Sequence, residues 1–267
     1  MKELVAYNWL KIFRAFPAVL VLGMFFLATF SNCDKATKKT NKTIAADKTI
    51  QQKDTNKVAD LRSHLSAIES NIKAAGLIDI QLLNPDIQVF LRYASDNNFL
   101  HQNLYDAFNK AYLADECAKK IALAQTFLSR TKPGFKLLVW DAARPVSAQQ
   151  LMWDALDMPF EERTKYVSNP KNHSLHNYGC AVDLTIQDSL ENELDMGTDF
   201  DDFDTLAQPQ FEWLCLQRGT LNPTQIENRK LLRSLMKKAG FTILPSEWWH
   251  FNCCSRVYAK EHYIVVE

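Results

Sequence analysis

The sequence predicts an α+β domain: a small, mainly antiparallel sheet flanked by helices. Two observations carry this. Apolar residues recur at three- and four-residue steps in three separated stretches, and four short strand-like segments follow or separate them without a regular strand-helix alternation. No internal repeat interrupts the 267 residues, so one domain of residues 58–267 behind a non-globular N-terminal segment accounts for the chain.

The elements follow in order. Val58, Leu61, Leu65, Ile68 and Ile72 make one face of a helix that stops at Gly76. A second helix runs from Leu113 to Ser129 on the face of Leu113, Cys117, Ile121, Ala124 and Leu128, and Lys132-Pro133-Gly134 breaks it. Phe135 to Trp140 then reads as a buried strand, and Ser147 as the N-cap of a short helix. Residues 157–171 are polar and read as a surface loop, whereas Ala181 to Ile186 alternates as a half-buried strand does. Thr224 and Glu227 have capping-box spacing ahead of Leu231, Leu232, Leu235 and Met236, with Gly240 as the stop. Phe241 to Leu244 and Glu247 to Cys253 close the chain as strands.

The first 57 residues are different in kind. Lys2, Lys11 and Arg14 precede an apolar run from Pro17 to Phe30, which is the pattern of an export signal and is short for a spanning helix. Cys33 follows in a segment resembling a loose lipoprotein processing box, although Asn32 and Phe30 replace the usual small residue and leucine. Residues 1–33 are therefore expected to be a signal peptide, with Cys33 either the acylated first residue of a lipoprotein or a stray cysteine. Residues 34–57 are rich in Lys, Thr, Asn, Asp and Gln and read as a flexible tether. The expected location is the periplasm or cell envelope, with membrane contact only through that anchor.

Charge and motifs exclude several classes. The 31 basic and 31 acidic residues cancel, leaving no electrostatic footprint for nucleic acid. There is no Gly-rich phosphate loop and no GxSxG elbow. Cys117, Cys180, Cys215, Cys253 and Cys254 lack CxxC spacing, so buried thiols are the default and any disulfide pairing is unreadable.

What remains is a set of metal-ligand residues. His176 and Asp183, with the small residues Gly179 and Ala181 between them, and His250, with Glu247 three before it, supply three donors and a spare carboxylate. That set suits a catalytic zinc with one open position and a base for its water. Singly, each residue also reads as an ordinary loop or core side chain. Glu247 and His250 would oppose each other on a regular strand, so Glu247 is expected at a bend or strand start. His173 reads as a rim residue, and Tyr93 and Trp249 as packing.

The segments Ser174-x-His176-x-x-Gly179-x-Ala181-x-Asp183 and Glu247-Trp248-Trp249-His250 resemble the motif pair of the VanX-type D-alanyl-D-alanine dipeptidases. The likeness extends to Leu91–Ala94, Asn97–Phe99, Asp141–Pro145, Met196–Asp201 and Arg229-x-x-Leu232. It implies the fold of the D,D-peptidase and hedgehog-type zinc peptidases, and one Zn2+ per chain on His176, Asp183 and His250. It further implies Glu247 as general base and acid, Arg144 at the scissile carbonyl or oxyanion, Asp201 on the ammonium of a D,D-dipeptide, and Ser174 in a supporting contact with the bound dipeptide. A zinc D,D-carboxypeptidase acting on longer wall peptides and a non-catalytic peptidoglycan-binding lipoprotein are the rival readings.

Overall fold

The computed structural model describes residues 67–105 and 108–267. The leader, Cys33, the tether and the start of the first predicted helix lie outside the described residues. Among the described residues no helix is long and apolar enough to cross a membrane.

Residues 67–74 are helical (α1), and Gly76, at φ 76°, turns the chain out of the helix. Then come β1 (Leu77–Asp79), a one-turn helix α2 (Ile80–Leu83) capped by the Asp79 carboxylate, and β2 (Gln88–Val89). β3 (Tyr112–Ala114) pairs antiparallel with β1, and α3 (Asp115–Thr131) leaves directly from it. The helix predicted from Leu113 therefore starts two residues later. Leu113 is a buried strand residue opposite Ile78, and Ala114 has an extended ψ of 146°.

β4 (Lys136–Asp141) leads into α4 (Val146–Ala155). Pro145, extended at ψ 144°, caps α4, so Ser147 lies in its first turn and is not the predicted N-cap. Residues 157–171 are more ordered than the predicted loop. They hold the short helix α5 (Phe160–Arg163), a 3-10 turn at Pro170–Asn172 and a buried Val167, fastened by Arg163 donating to the carbonyls of Trp153 and Met158.

β5 (Ala181–Gln187), α6 (Glu212–Gln217), α7 (Pro223–Lys238), β6 (Thr242–Leu244), β7 (Glu247–Asn252) and α8 (Arg256–His262) complete the domain. The capping box of α7 is Asn222 with Gln225, two residues ahead of the predicted Thr224 and Glu227. Pro223, which has no N–H to cap, occupies the first turn.

The main sheet has the order β2-β4-β5-β7-β6, and only the β2–β4 pair is parallel. This is the expected α+β, mainly antiparallel architecture. β5 is central and buried on both faces from Ala181 to Ile186, where alternation had predicted a half-buried strand. Its odd-numbered face carries Asp183 and Thr185, which is polar in sequence yet covered in the fold. Val182, Leu184 and Ile186 on the other face join Ile121 and Leu128 of α3 in one apolar core.

Cys117 of α3 and Cys253, just past β7, form a disulfide with Cα atoms 5.6 Å apart, so these two are not the buried thiols expected. Cys180, Cys215 and Cys254 are free.

Gly179 shows how tightly the segment before β5 is held. Its φ is 64°, and a Cβ there would lie 2.9 Å from both methyl carbons of Leu77 and 3.0 Å from the Ala114 nitrogen. Gly179→Ala is expected to destabilise the domain by about 2 kcal/mol or more, combining left-handed strain with backbone crowding. Denaturant unfolding measures this, and unchanged stability would contradict the packing described.

Candidate active site

Strand register assembles the site. β5 and β7 pair with Asp183 opposite His250, and β4 and β5 pair with Asp141 opposite Asp183, so three polar side chains form a row across three strands. The β4–β5 register shifts by one residue between Val139 and Asp141. That bulge at Trp140 brings Asp141 onto the face of Asp183; regular pairing would send it to the other side.

His176 reaches the row from the 3-10 turn Leu175–Tyr178, which ends in the left-handed Gly179. The turn is held by the Ser174 N–H donating to Asn177 Oδ1 at 2.6 Å and by Asn177 Nδ2 donating to the Arg144 carbonyl at 2.8 Å. Donor atoms of His176, Asp183 and His250 lie within 4.8 Å of one another. His176 Nδ1 is 2.8 Å from the Ala142 carbonyl, an obligate acceptor, so that nitrogen carries the proton and Nε2 faces inward with a lone pair. His250 Nε2 donates in the same way to Asn252 Oδ1 at 2.8 Å, leaving Nδ1 for the cluster. Two imidazole nitrogens and a carboxylate oxygen, convergent and buried or half-buried, fit a divalent transition metal with space for a further ligand once the proton between His250 and Asp183 has left.

The electrostatics agree with a cation at that point. Burial opposes ionisation of Asp183, but the adjacent imidazoles of His176 and His250 outweigh it and hold the carboxyl well below the usual range. Burial likewise disfavours charge on His250, yet Asp183, 2.9 Å away, raises it to about 9. The cluster therefore stabilises a positive charge, supplied by a proton or by a metal ion.

Glu247 stands at the first residue of β7, its Oε2 4.0 Å from His250 Nδ1. The strand-start position expected for it is the one observed. Leu244 pairs with Glu247 while Ile243 pairs with Phe251, so the strand loses its regular phase between them and Glu247 and His250 can face the same cavity. Burial raises the Glu247 carboxyl above its ordinary value, with Asp183 adding to the rise and His250 opposing it. A half-buried carboxylate displaced upward is a competent proton acceptor near neutral pH.

Arg144 donates from Nε at 2.9 Å and Nη2 at 2.6 Å to Asp141, whose other oxygen accepts from Tyr105 at 2.8 Å. Its guanidinium lies 5.1 Å from the centre of the Tyr93 ring and 3.8 Å from Asp183. Burial disfavours that charge but Asp141 overcomes it, so Arg144 is a fixed cation.

Asp201, at φ 60°, accepts from the Tyr93 hydroxyl at 3.1 Å. Burial and then repulsion from Asp183 push its carboxyl well up, against the pull of Arg144 and Tyr93. The loop bearing it is clamped by Arg229, which donates to the Met196 carbonyl at 2.6 Å and the Leu206 carbonyl at 3.0 Å.

One cavity of about 220 Å³ is lined by His176, Asp183, His250, Glu247, Arg144, Asp201 and Ser174 together. Cys33 is outside the described residues. Ser174 is buried with its hydroxyl 2.7 Å from Gln149 Oε1, which commits its proton within the protein. His173 does not line the cavity; Tyr93 and Trp249, read from sequence as packing, both do. The reading also missed Gln149, Asn252 and Arg256. Only Asn252 left a signal, two residues beyond His250 and hence on the same strand face.

A profile of the family Peptidase_M15, described as D-ala-D-ala dipeptidase, matches residues 73–267. A protein of Escherichia coli (strain K12) named D-alanyl-D-alanine dipeptidase is 32% identical over 179 residues, covering 66% of this chain and 83% of its own. Proteins of that name from Synechocystis sp. and Enterococcus faecalis are each 27% identical, covering 54% and 64% of this chain and 70% and 88% of theirs.

A metal ion entering the cluster must displace the proton that Asp183 holds on His250. Because that proton is bound up to about pH 9, metal affinity should fall as pH is lowered below this value. The expected slope is about tenfold per pH unit for one displaced proton. Metal titration of the metal-free protein across that range measures it, and a flat profile would refute the assignment of the proton to His250.

Proposed function

This chain belongs to the Peptidase_M15 family of D-Ala-D-Ala dipeptidases, and we propose that it is a zinc enzyme hydrolysing D-alanyl-D-alanine and related D,D-dipeptides. The observation that carries this reading is the convergence of His176, Asp183, His250, Glu247, Arg144 and Asp201 on one small cavity. A zinc ion held by the first three would supply a Lewis acid that acidifies water and polarises a carbonyl.

The chain's own groups then account for binding and proton movement. Asp201, whose ionisation burial and Asp183 oppose, gains most from an incoming cation, and the free ammonium of a dipeptide is that cation. Arg144, fixed by Asp141, presents positive charge where the scissile carbonyl becomes an oxyanion, a contribution of roughly 3–4 kcal/mol in comparable sites. Glu247 takes a proton from the attacking water at its carboxylate and delivers it to the departing amine. The Tyr93 hydroxyl keeps the Asp201 carboxylate oriented. Ser174 supports this constellation through Gln149 and Asn177.

We also propose that residues 1–33 direct export and that Cys33 carries a lipid, with residues 34–57 as the tether. The support is the apolar run, the cysteine after it and the polar tract beyond.

Glu247→Ala is expected to retain zinc while kcat falls at least about 100-fold. Loss of the metal in that variant, with full rate on reloading, would place the base elsewhere. An amine-release assay should show turnover of D-Ala-D-Ala, little of its N-acetyl form or of a wall pentapeptide, and a raised KM in Asp201→Ala. Preference for the pentapeptide would make the enzyme a carboxypeptidase. Cys33→Ser should move the native protein out of the membrane fraction, and unchanged fractionation would reject the anchor.

A further inference from the structure

We propose that Arg256 anchors the free C-terminal carboxylate of the substrate and makes the enzyme selective for a peptide end. The inference rests on the dipeptidase reading and adds to it a specificity-determining residue. A free dipeptide is a zwitterion, so a cavity that recognises it needs a cationic partner for its carboxylate as well as an acid for its ammonium. Two arginines line the cavity, Arg144 and Arg256. Arg144 has Nε and Nη2 committed to Asp141 and lies against Tyr93, on the side of the cavity where Tyr93 holds Asp201. It belongs to the carbonyl and the ammonium end.

Arg256 enters from the first residue of α8. Its Nη2 donates to the His173 carbonyl at 2.7 Å, directly before Ser174, and its remaining donors have no acceptor among the described residues. Arg256 is exposed, while Ser174 and His176 in the same cavity wall are buried. Ser174, the residue after the anchoring carbonyl, is also in the wall, and its proton is given to Gln149 at 2.7 Å. An anion at this end therefore meets no hydroxyl donor from Ser174, and the guanidinium, with several N–H groups directed by one anchoring bond, is the group suited to a carboxylate.

The test compares D-Ala-D-Ala with its C-terminal amide in wild type and Arg256→Gln. KM is measured by amine release, and Kd by calorimetry in the zinc-loaded Glu247→Ala background with and without Arg256→Gln. Arg256→Gln should weaken the acid by about 10- to 100-fold, the range of a charge-assisted bond, and leave the amide unchanged. Arg256→Lys should recover part of the loss. Equal weakening of acid and amide would mean that Arg256 only pins the His173–Ser174 turn, and no change in either would mean that it plays no part; both overturn the proposal while the dipeptidase reading stands. If wild type neither binds nor cleaves the acid, the dipeptidase reading falls and this inference falls with it.

Discussion

The pairing of Asp183 with His250 across β5 and β7 is the constraint on which the rest of the site depends. It brings residues 67 positions apart to 2.9 Å, and it does so through backbone ladders, which tolerate little drift. A one-residue slip would turn Asp183 to the apolar face among Val182 and Leu184 and leave a carboxylate without partners. Sheet register and metal-binding geometry are therefore a single requirement. The Cys117–Cys253 disulfide, tying α3 to the end of β7, braces the strand that bears His250.

Around that pair the protein spends buried polar groups where most domains would place apolar ones. Asp141, Arg144, Asp183 and His176 are all buried, a costly arrangement unless each is paired. Each has a partner: Tyr105 and Arg144 on Asp141, the Ala142 carbonyl on His176, the imidazoles on Asp183. These partners fix ring tautomers and guanidinium position before any ligand arrives, which is what preorganised electrostatics require. Asp201 and Glu247 differ from these in being half-buried carboxyls pushed upward by desolvation, and they are the two to which binding and proton transfer are ascribed.

Two blocks that look unrelated along the chain turn out to be one device. Arg229 on α7 holds both ends of the loop that bears Asp201, and Trp248 of β7 donates to Thr198 in the same loop at 2.7 Å. The conformation of an acidic residue at positive φ is thus set by a helix and a strand distant in sequence.

The sequence by itself determined the α+β class, the order of most elements and the residues offered to a metal, because these rest on periodicity and on short-range spacing such as Gly179 between His176 and Asp183. It also carried the expectation that Glu247 lies at a bend or strand start, because residues three apart oppose each other on a regular strand. Tertiary structure decided the rest. The bulge at Trp140 that turns Asp141 inward, the burial of the polar face of β5, the pairing of Cys117 with Cys253 and the arrival of Arg256 beside Ser174 all depend on which segments lie side by side. The displaced helix start at Asp115 has the same cause, since β1–β3 pairing overrides the apolar pattern that local reading follows, whereas the cap at Asn222 is a local matter of the proline that follows it. Spacing along a chain encodes which groups are available, whereas contacts between distant segments determine their distances, their charges and the cavity they share.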